Sequence, residues 1–218
     1  MKKFFSFLCA AVLAVGAQAQ LVTSRSVSTI SAPKEPSRTT WMVRLGVGSN
    51  GMVYSDADEG PDAKVGYFLG FEFNKSIRQR GAYWGMDFAL ASRGWKISKG
   101  GYEQKLAAHN IHWSPFIFGW KIAIPDTKFS IDPHIGTYLA VDYAGKYTGE
   151  YDGQDLDDVK IGDAEGYSRF DGGLKVGVGV WYAKRYNLDL TYQRGFLTDN
   201  EDADGGTSNF WVRLGYAF

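Results

Sequence analysis

The sequence predicts an all-β chain, an eight-stranded antiparallel up-and-down transmembrane β-barrel. Three observations predict it. From Trp41 onward apolar side chains recur with a period of two, the repeat of a strand, and no amphipathic stretch of helical period is left over. The apolar faces of these segments carry no charge, whereas the opposite faces are crowded with Gly and Ala, as the narrow interior of a small closed barrel requires. Connector lengths alternate between short and long, as they do on the two sides of a membrane barrel.

In chain order, residues 1–19 read as a secretory signal peptide. Lys2 and Lys3 precede an apolar run from Phe4 to Gly16, and Ala17-Gln18-Ala19 is a small-residue cleavage site. That run is too short to cross a bilayer as a helix. Cys9 lies inside it behind Phe7 and Leu8, away from the cleavage point where a lipidated cysteine would stand. Removal of the segment takes with it the one cysteine of the chain, so the exported protein needs no disulfide. Residues 20–40, with Ser24, Ser26, Ser28, Thr29, Ser31, Pro33, Pro36, Ser37, Thr39 and Thr40, are too poor in large apolar groups to order themselves and read as a flexible periplasmic leader.

The barrel is assigned to residues 41–218. Its first segment alternates Trp41, Val43, Leu45 and Val47 with Met42, Arg44, Gly46 and Gly48. The second sets Val65, Tyr67, Leu69, Phe71 and Phe73 against Gly66, Phe68, Gly70, Glu72 and Asn74. The third sets Trp84, Met86, Phe88 and Leu90 against Gly85, Asp87, Ala89 and Ala91. The fourth, Ile111, Trp113, Pro115 and Ile117 against His112, Ser114, Phe116 and Phe118, is apolar on both faces in its second half and leaves its facing open. The fifth runs Phe129, Ile131, Pro133, Ile135, Leu139 and Val141 against Ser130, Asp132, His134, Gly136 and Ala140. The sixth, Leu174 to Tyr182, the seventh, Tyr186 to Tyr192, and the last, Phe210 to Phe218, alternate without a break. Pro115 and Pro133 each remove a ladder donor and mark a bulge or a strand end. The short connectors are residues 75–81, 124–127 and 183–185; residues 49–63, 92–105, 143–168 and 197–208 are expected to be long loops.

A secreted, ligand-binding barrel also has eight strands, but with an apolar interior. Here the absence of charge from the apolar face, the small residues opposite, and aromatics at segment ends (Trp41, Phe73, Trp84, Tyr182, Tyr186, Tyr192, Tyr216) favour the inverted, membrane version.

The final run, Asn209-Phe210-Trp211-Val212-Arg213-Leu214-Gly215-Tyr216-Ala217-Phe218, resembles the closing strand of bacterial outer-membrane barrels. The stretch Phe170 to Tyr182 with Tyr186 to Gly195 is similar to the penultimate hairpin of the small outer-membrane β-barrel family, relatives of porin-like and adhesin-like barrels. The resemblance implies the bacterial outer membrane as location and its lipid as surroundings. It also implies that the barrel-assembly machinery reads Tyr216 and Phe218. It implies no single activity, because the family has none in common.

Charge is sorted along the barrel axis. The chain has 24 Lys+Arg and 24 Asp+Glu, so no basic excess is available for a nucleic-acid backbone. The short turns are basic (Lys75, Arg78, Arg80, Lys184, Arg185), and the long connectors are acidic, the third carrying Asp152, Asp155, Asp157 and Asp158. Such an acidic loop is a candidate contact for an extracellular ligand. Asn200-x-Asp202-x-Asp204-Gly205 opens like a calcium loop, but Trp211 stands where the closing glutamate belongs. Inside, Arg44, Arg93, Lys175 and Arg213 are expected to meet Glu72, Asp87, Asp132, Asp171 and Asp189, because buried charges must pair.

No catalytic or cofactor signature appears. His109 and His112 fall on opposite faces of a strand, and His134 lies too far along its neighbour to share a metal with His112. His112 with Ser114, two apart on one face, is the one candidate nucleophile pair. The expected role is therefore non-enzymatic, structural or adhesive through the long connectors, with no metal or cofactor. A narrow solute channel is the alternative, and a lipid-modifying enzyme a more remote one.

Overall fold

The computed structural model describes residues 39–54, 61–77, 81–164, 167–196 and 205–218. The expected signal peptide, nearly all of the leader and all of the calcium-loop-like segment but Gly205 lie outside these residues. Ten strands form, named here β1 (Thr39–Tyr54), β2 (Asp62–Ser76), β3 (Ala82–Lys99), β4 (Tyr102–Trp120), β5 (Ile122–Ala123), β6 (Phe129–Tyr151), β7 (Gln154–Lys160), β8 (Phe170–Tyr182), β9 (Tyr186–Gly195) and β10 (Gly205–Ala217). β1 starts at Thr39, so the barrel takes in the last two residues of the expected leader, which pair with Lys75 and Asn74.

All pairings are antiparallel. They run β4-β3-β2-β1-β10-β9-β8-β6, and β4 pairs β6 to close the ring. Eight long strands thus make the cylinder, as the alternation predicts. The two short strands are appendages of β6: β5 extends its start and β7 folds back on its end.

Burial runs opposite to that of a soluble protein. Val65 is 85 % exposed and Leu45 62 %, whereas Arg213, Lys175 and Glu72 are each 1 % exposed. Apolar side chains face outward and charges inward, which decides against a secreted barrel with an apolar pocket.

Both prolines find a physical place. β4 holds one more residue than either neighbour around Pro115: Asp87 pairs Ser114 and Gly85 pairs Ile117, while on the other side Leu139 pairs Trp113 and Gly136 pairs Ile117. The bulge shifts the phase, so Phe116, Phe118 and Trp120 face out and Ile117 is buried. This corrects the simple alternation that put Ile117 beside Ile111 and Trp113. Pro133 sits between the last β4 pair (His134 with Gly119) and the first β5 pair (Ile131 with Ile122), where β6 has no partner on that side. A missing donor is tolerated at such a gap.

Two expected long loops are largely strand. Residues 92–105 form a hairpin that turns on Gly100-Gly101 (φ 58° and 80°), and residues 143–160 turn on Asp152-Gly153 (φ 47° and 79°). Left-handed dipeptides of this kind close the tightest hairpins, because their twist matches that of the strands. The Asp-Gly and Gly-Gly pairs carried that signal in the sequence.

Glycines line the interior where large side chains cross. A β-carbon on Gly46 would come within 2.7 Å of Arg213 Cγ, and one on Gly215 within 2.6 Å of Met42 Sδ. The small residues on the inner face are what let Arg, Trp and Met fit inside an eight-stranded ring.

Candidate functional site

The lumen is the place where chemistry-bearing side chains converge. Alternation aims Arg44, Glu72, Asp87, Asp132, Asp171, Lys175, Asp189 and Arg213 inward, and all eight are buried.

At the short-turn end Asp132 accepts hydrogen bonds from Tyr83 Oη (3.0 Å) and Trp181 Nε1 (2.8 Å). Lys121, which has no strand partner between β4 and β5, lies over the Trp181 ring at 3.8 Å and the Tyr83 ring at 5.2 Å. Met42, Trp181 and Ala217 pack together at this end.

Further along, Arg44 pairs with Glu72 (Nε–Oε2 3.1 Å), and Asn74 Nδ2 donates to Glu72 (2.7 Å). Arg44 also reaches Asp189 (3.5 Å), joining this pair to the next. Arg213 donates to Asp189 from Nε (2.8 Å) and Nη2 (2.6 Å), and to Thr191 Oγ1 (2.7 Å). Lys175 Nζ donates to Asp87 (2.5 Å) and to Ser114 Oγ (2.7 Å). His112 stands 3.3 Å from the other Asp87 oxygen and 3.1 Å from Gln193, whose oxygen accepts from Trp211 Nε1 (3.0 Å). Phe68 fills the space between, in contact with Trp211, His112 and the Arg213 guanidinium.

At the long-hairpin end Tyr138 stacks on His112 (5.3 Å) and donates to Asp171 (3.2 Å), which also accepts from Thr207 (2.7 Å). Arg93 binds Asp142 (Nε 2.7 Å) and reaches Asp171 (3.6 Å), while Tyr167 donates to Asp142. Leu106, Ala108 and Ile161, with Trp95, Tyr147 and Tyr167 against them, cover this end.

The eight predicted lumen residues therefore belong to three linked groups, with Asp132 tied to neutral donors rather than to a cation. The pattern reading missed Tyr83, Asp142, Gln193, Thr191 and Thr207 as partners. All occupy inward positions of the same alternation, so the signal was period two extended to the remaining inward polar residues. His112 and Ser114 do share the inner face, but Ser114 takes its hydrogen bond from Lys175, and His112 engages Asp87 and Gln193. His109 faces outward and meets Tyr67 Oη (3.0 Å). Among the described residues, no three His, Cys, Asp or Glu side chains are arranged to hold a metal.

The acidic residues are placed differently from expectation. Asp152 is in the tight turn, and Asp155, Asp157 and Asp158 are exposed on β7, so they decorate a strand rather than a loop. Lys146 offsets one of them, Asp158, at 2.5 Å. The two hairpins join at their tips, where Asp152 N–H donates to Gly101 O (3.0 Å). Tyr216 and Phe218 face outward at the end of β10, and the Phe218 N–H donates to Trp41 O (3.0 Å).

Near the first hairpin tip, Glu103 is clasped by Lys105 and by Lys96 Nζ (2.5 Å). Lys105 first, and then Lys96, hold its carboxyl down to about 2, below the ordinary 4.5. A depressed carboxyl contributes its stabilisation above the unfolded pKa and loses it as pH falls through the folded one. A carboxyl-carbon NMR titration is expected to find Glu103 ionised until pH approaches about 2, and Lys105→Met to move its midpoint back toward 4.5.

A family model, "Outer membrane protein beta-barrel domain", matches residues 18–198. The chain belongs to this outer-membrane β-barrel family. Its location is the bacterial outer membrane. Among solved structures, Ail, the attachment invasion locus protein of Yersinia pestis, in complex with the heparin analogue sucrose octasulfate, is 15 % identical. That match covers 83 % of this chain and 99 % of that one, with a TM-score of 0.42. The outer membrane enzyme PagL is 12 % identical over 80 % of this chain and 98 % of its own, with a TM-score of 0.49. OprG from Pseudomonas aeruginosa is 13 % identical over 84 % and 97 %, with a TM-score of 0.37. No curated protein sequence matches the chain. In barrels of this family the short turns face the periplasm and the long hairpins the exterior.

Proposed function

We propose that this outer-membrane barrel is a closed, non-enzymatic scaffold that holds its β3–β4 and β6–β7 hairpins above the membrane as an interaction surface. The observation that carries the reading is the lumen: ion pairs and hydrogen bonds run from Asp132 to Asp142 across its full section, leaving side chains where a solute would pass. Eight strands give an interior just wide enough for such filling. The hairpins extend well past the apolar belt, and β7 presents Asp155, Asp157 and Asp158 to solvent. Their charge suits a basic partner. Catalysis by His112 and Ser114 is disfavoured because both are enclosed in the lumen, whereas a lipid acyl chain would meet the outer surface.

The test has two independent readouts. Reconstituted in planar bilayers, the full chain is expected to show no stable conductance. Cells displaying a chain whose residues 147–159 are replaced by a short turn are expected to keep a heat-modifiable barrel and lose attachment to cell monolayers. A steady conductance refutes the closed lumen, and unchanged attachment refutes the hairpin role.

A further inference from the structure

At the periplasmic end, four exposed cations have no acidic partner among the described residues: Lys75, Lys128, Lys184 and Arg185. At the opposite end Lys96, Lys105 and Lys146 are ion-paired, whereas Lys99 and Lys160 are exposed with no ion pair among the described residues. The four lie along one arc of the rim. Ala183 N–H donates to Lys128 O (2.9 Å), so Lys128 adjoins the 183–185 turn. Ala217 N–H donates to Arg185 O (2.7 Å), Phe218 N–H to Trp41 O, and Thr39 pairs with Lys75, which carries the arc through β10 and β1 to β2.

Directly inside this arc, on the outer surface, runs a band of aromatic rings. Phe129 meets Tyr182 (5.1 Å), Tyr186 meets Tyr216 (5.5 Å), and Trp41 meets Phe73 (4.9 Å). Aromatic rings of this kind sit at the boundary between acyl chains and headgroups. Long cationic side chains just beyond them reach the headgroup level while their stems stay on apolar surface. The 183–185 turn holds Lys184 at φ 62°, a position glycine or asparagine fills at lower cost, and so projects a cation outward from a tight turn.

We propose that this arc binds the phosphates of anionic phospholipids in the periplasmic leaflet, with Lys128, Lys184 and Arg185 as its centre and Lys75 at its edge. The aromatic band favours a lipid over a soluble partner, because the cations and the acyl-facing rings form one continuous surface. Electrostatic attraction to an anionic bilayer surface amounts to about fivefold in affinity per cation, so the three central residues together supply on the order of a hundredfold.

The test uses the folded full chain, equilibrated with phosphatidylglycerol/phosphatidylcholine mixtures and examined by native mass spectrometry for retained lipid. The wild type is expected to retain phosphatidylglycerol selectively. The triple variant Lys128→Gln, Lys184→Gln, Arg185→Gln is expected to lose that selectivity by about a hundredfold while remaining heat-modifiable. The variant Lys128→Arg, Lys184→Arg, with the charges kept, is expected to retain it. Equal selectivity in wild type and triple variant, or none in the wild type, overturns the proposal. Displacement of the lipid by inorganic phosphate would make the arc a free-anion site, and displacement by soluble polyglutamate would assign it to an acidic macromolecule; either result also overturns it.

Discussion

Replacing Asp87 by Ala is expected to destabilise the barrel by about 3–5 kcal/mol, read as a shift in the denaturant midpoint of the chain folded into vesicles. Asp87 accepts from Lys175 at 2.5 Å and faces His112 at 3.3 Å, with Arg213 at 4.0 Å. Removing it strands the Lys175 ammonium, whose side chain is 0 % exposed, with the Ser114 hydroxyl as its remaining hydrogen-bond acceptor. The loss is dominated by the charge left behind, not by the attraction removed. The double variant Asp87→Leu, Lys175→Met takes away both charges at similar volume and is expected to recover most of the loss. If the single and double variants are equally unstable, packing around Ser114 and Phe68, not charge compensation, is what the site provides.

How far the sequence reaches is set by which forces act locally. Period two is a backbone property, so the outward and inward sets of β1, β2, β8, β9 and β10 were legible residue by residue, and the eight charged lumen residues with them. The β4 phase was not legible, because a bulge is decided by two neighbouring strands at once, and Pro115 announces only that something must give. Partner choice was also hidden. Asp132 looked like half of an ion pair, yet the ring closure brings it Tyr83 and Trp181, from β3 and β8, while Asp142 on β6 meets Arg93 and Tyr167. Those pairings depend on register around the whole cylinder. The hairpins were legible in part: Asp152-Gly153 and Gly100-Gly101 are turn dipeptides, but polar flanks such as Gln154 to Lys160 lack the apolar alternation that marks a strand. Function lies one step further away, since the family shares a cylinder and not a chemistry.

Leu45→Arg is expected to cost about 2–4 kcal/mol in a bilayer. Leu45 lies midway along the apolar stretch of β1, paired with Leu214 on one side and Leu69 on the other, and points outward at 62 % exposure. On the surface of a soluble protein an arginine there would be close to neutral, because the side chain is already in water in both folded and unfolded states. In a lipid-facing position the guanidinium must leave water on folding, and no carboxylate lies on that face of β1 to receive it. The magnitude therefore measures the surrounding medium. Val53, also outward but near the extracellular end of β1, is the internal comparison, and Val53→Arg is expected to cost about 0–1 kcal/mol. A large Leu45 effect beside a small Val53 effect locates the hydrocarbon core around the first half of β1 and leaves its second half, with the acidic hairpins, in the extracellular water. Two equally small effects would mean that the outward apolar face is not in contact with lipid.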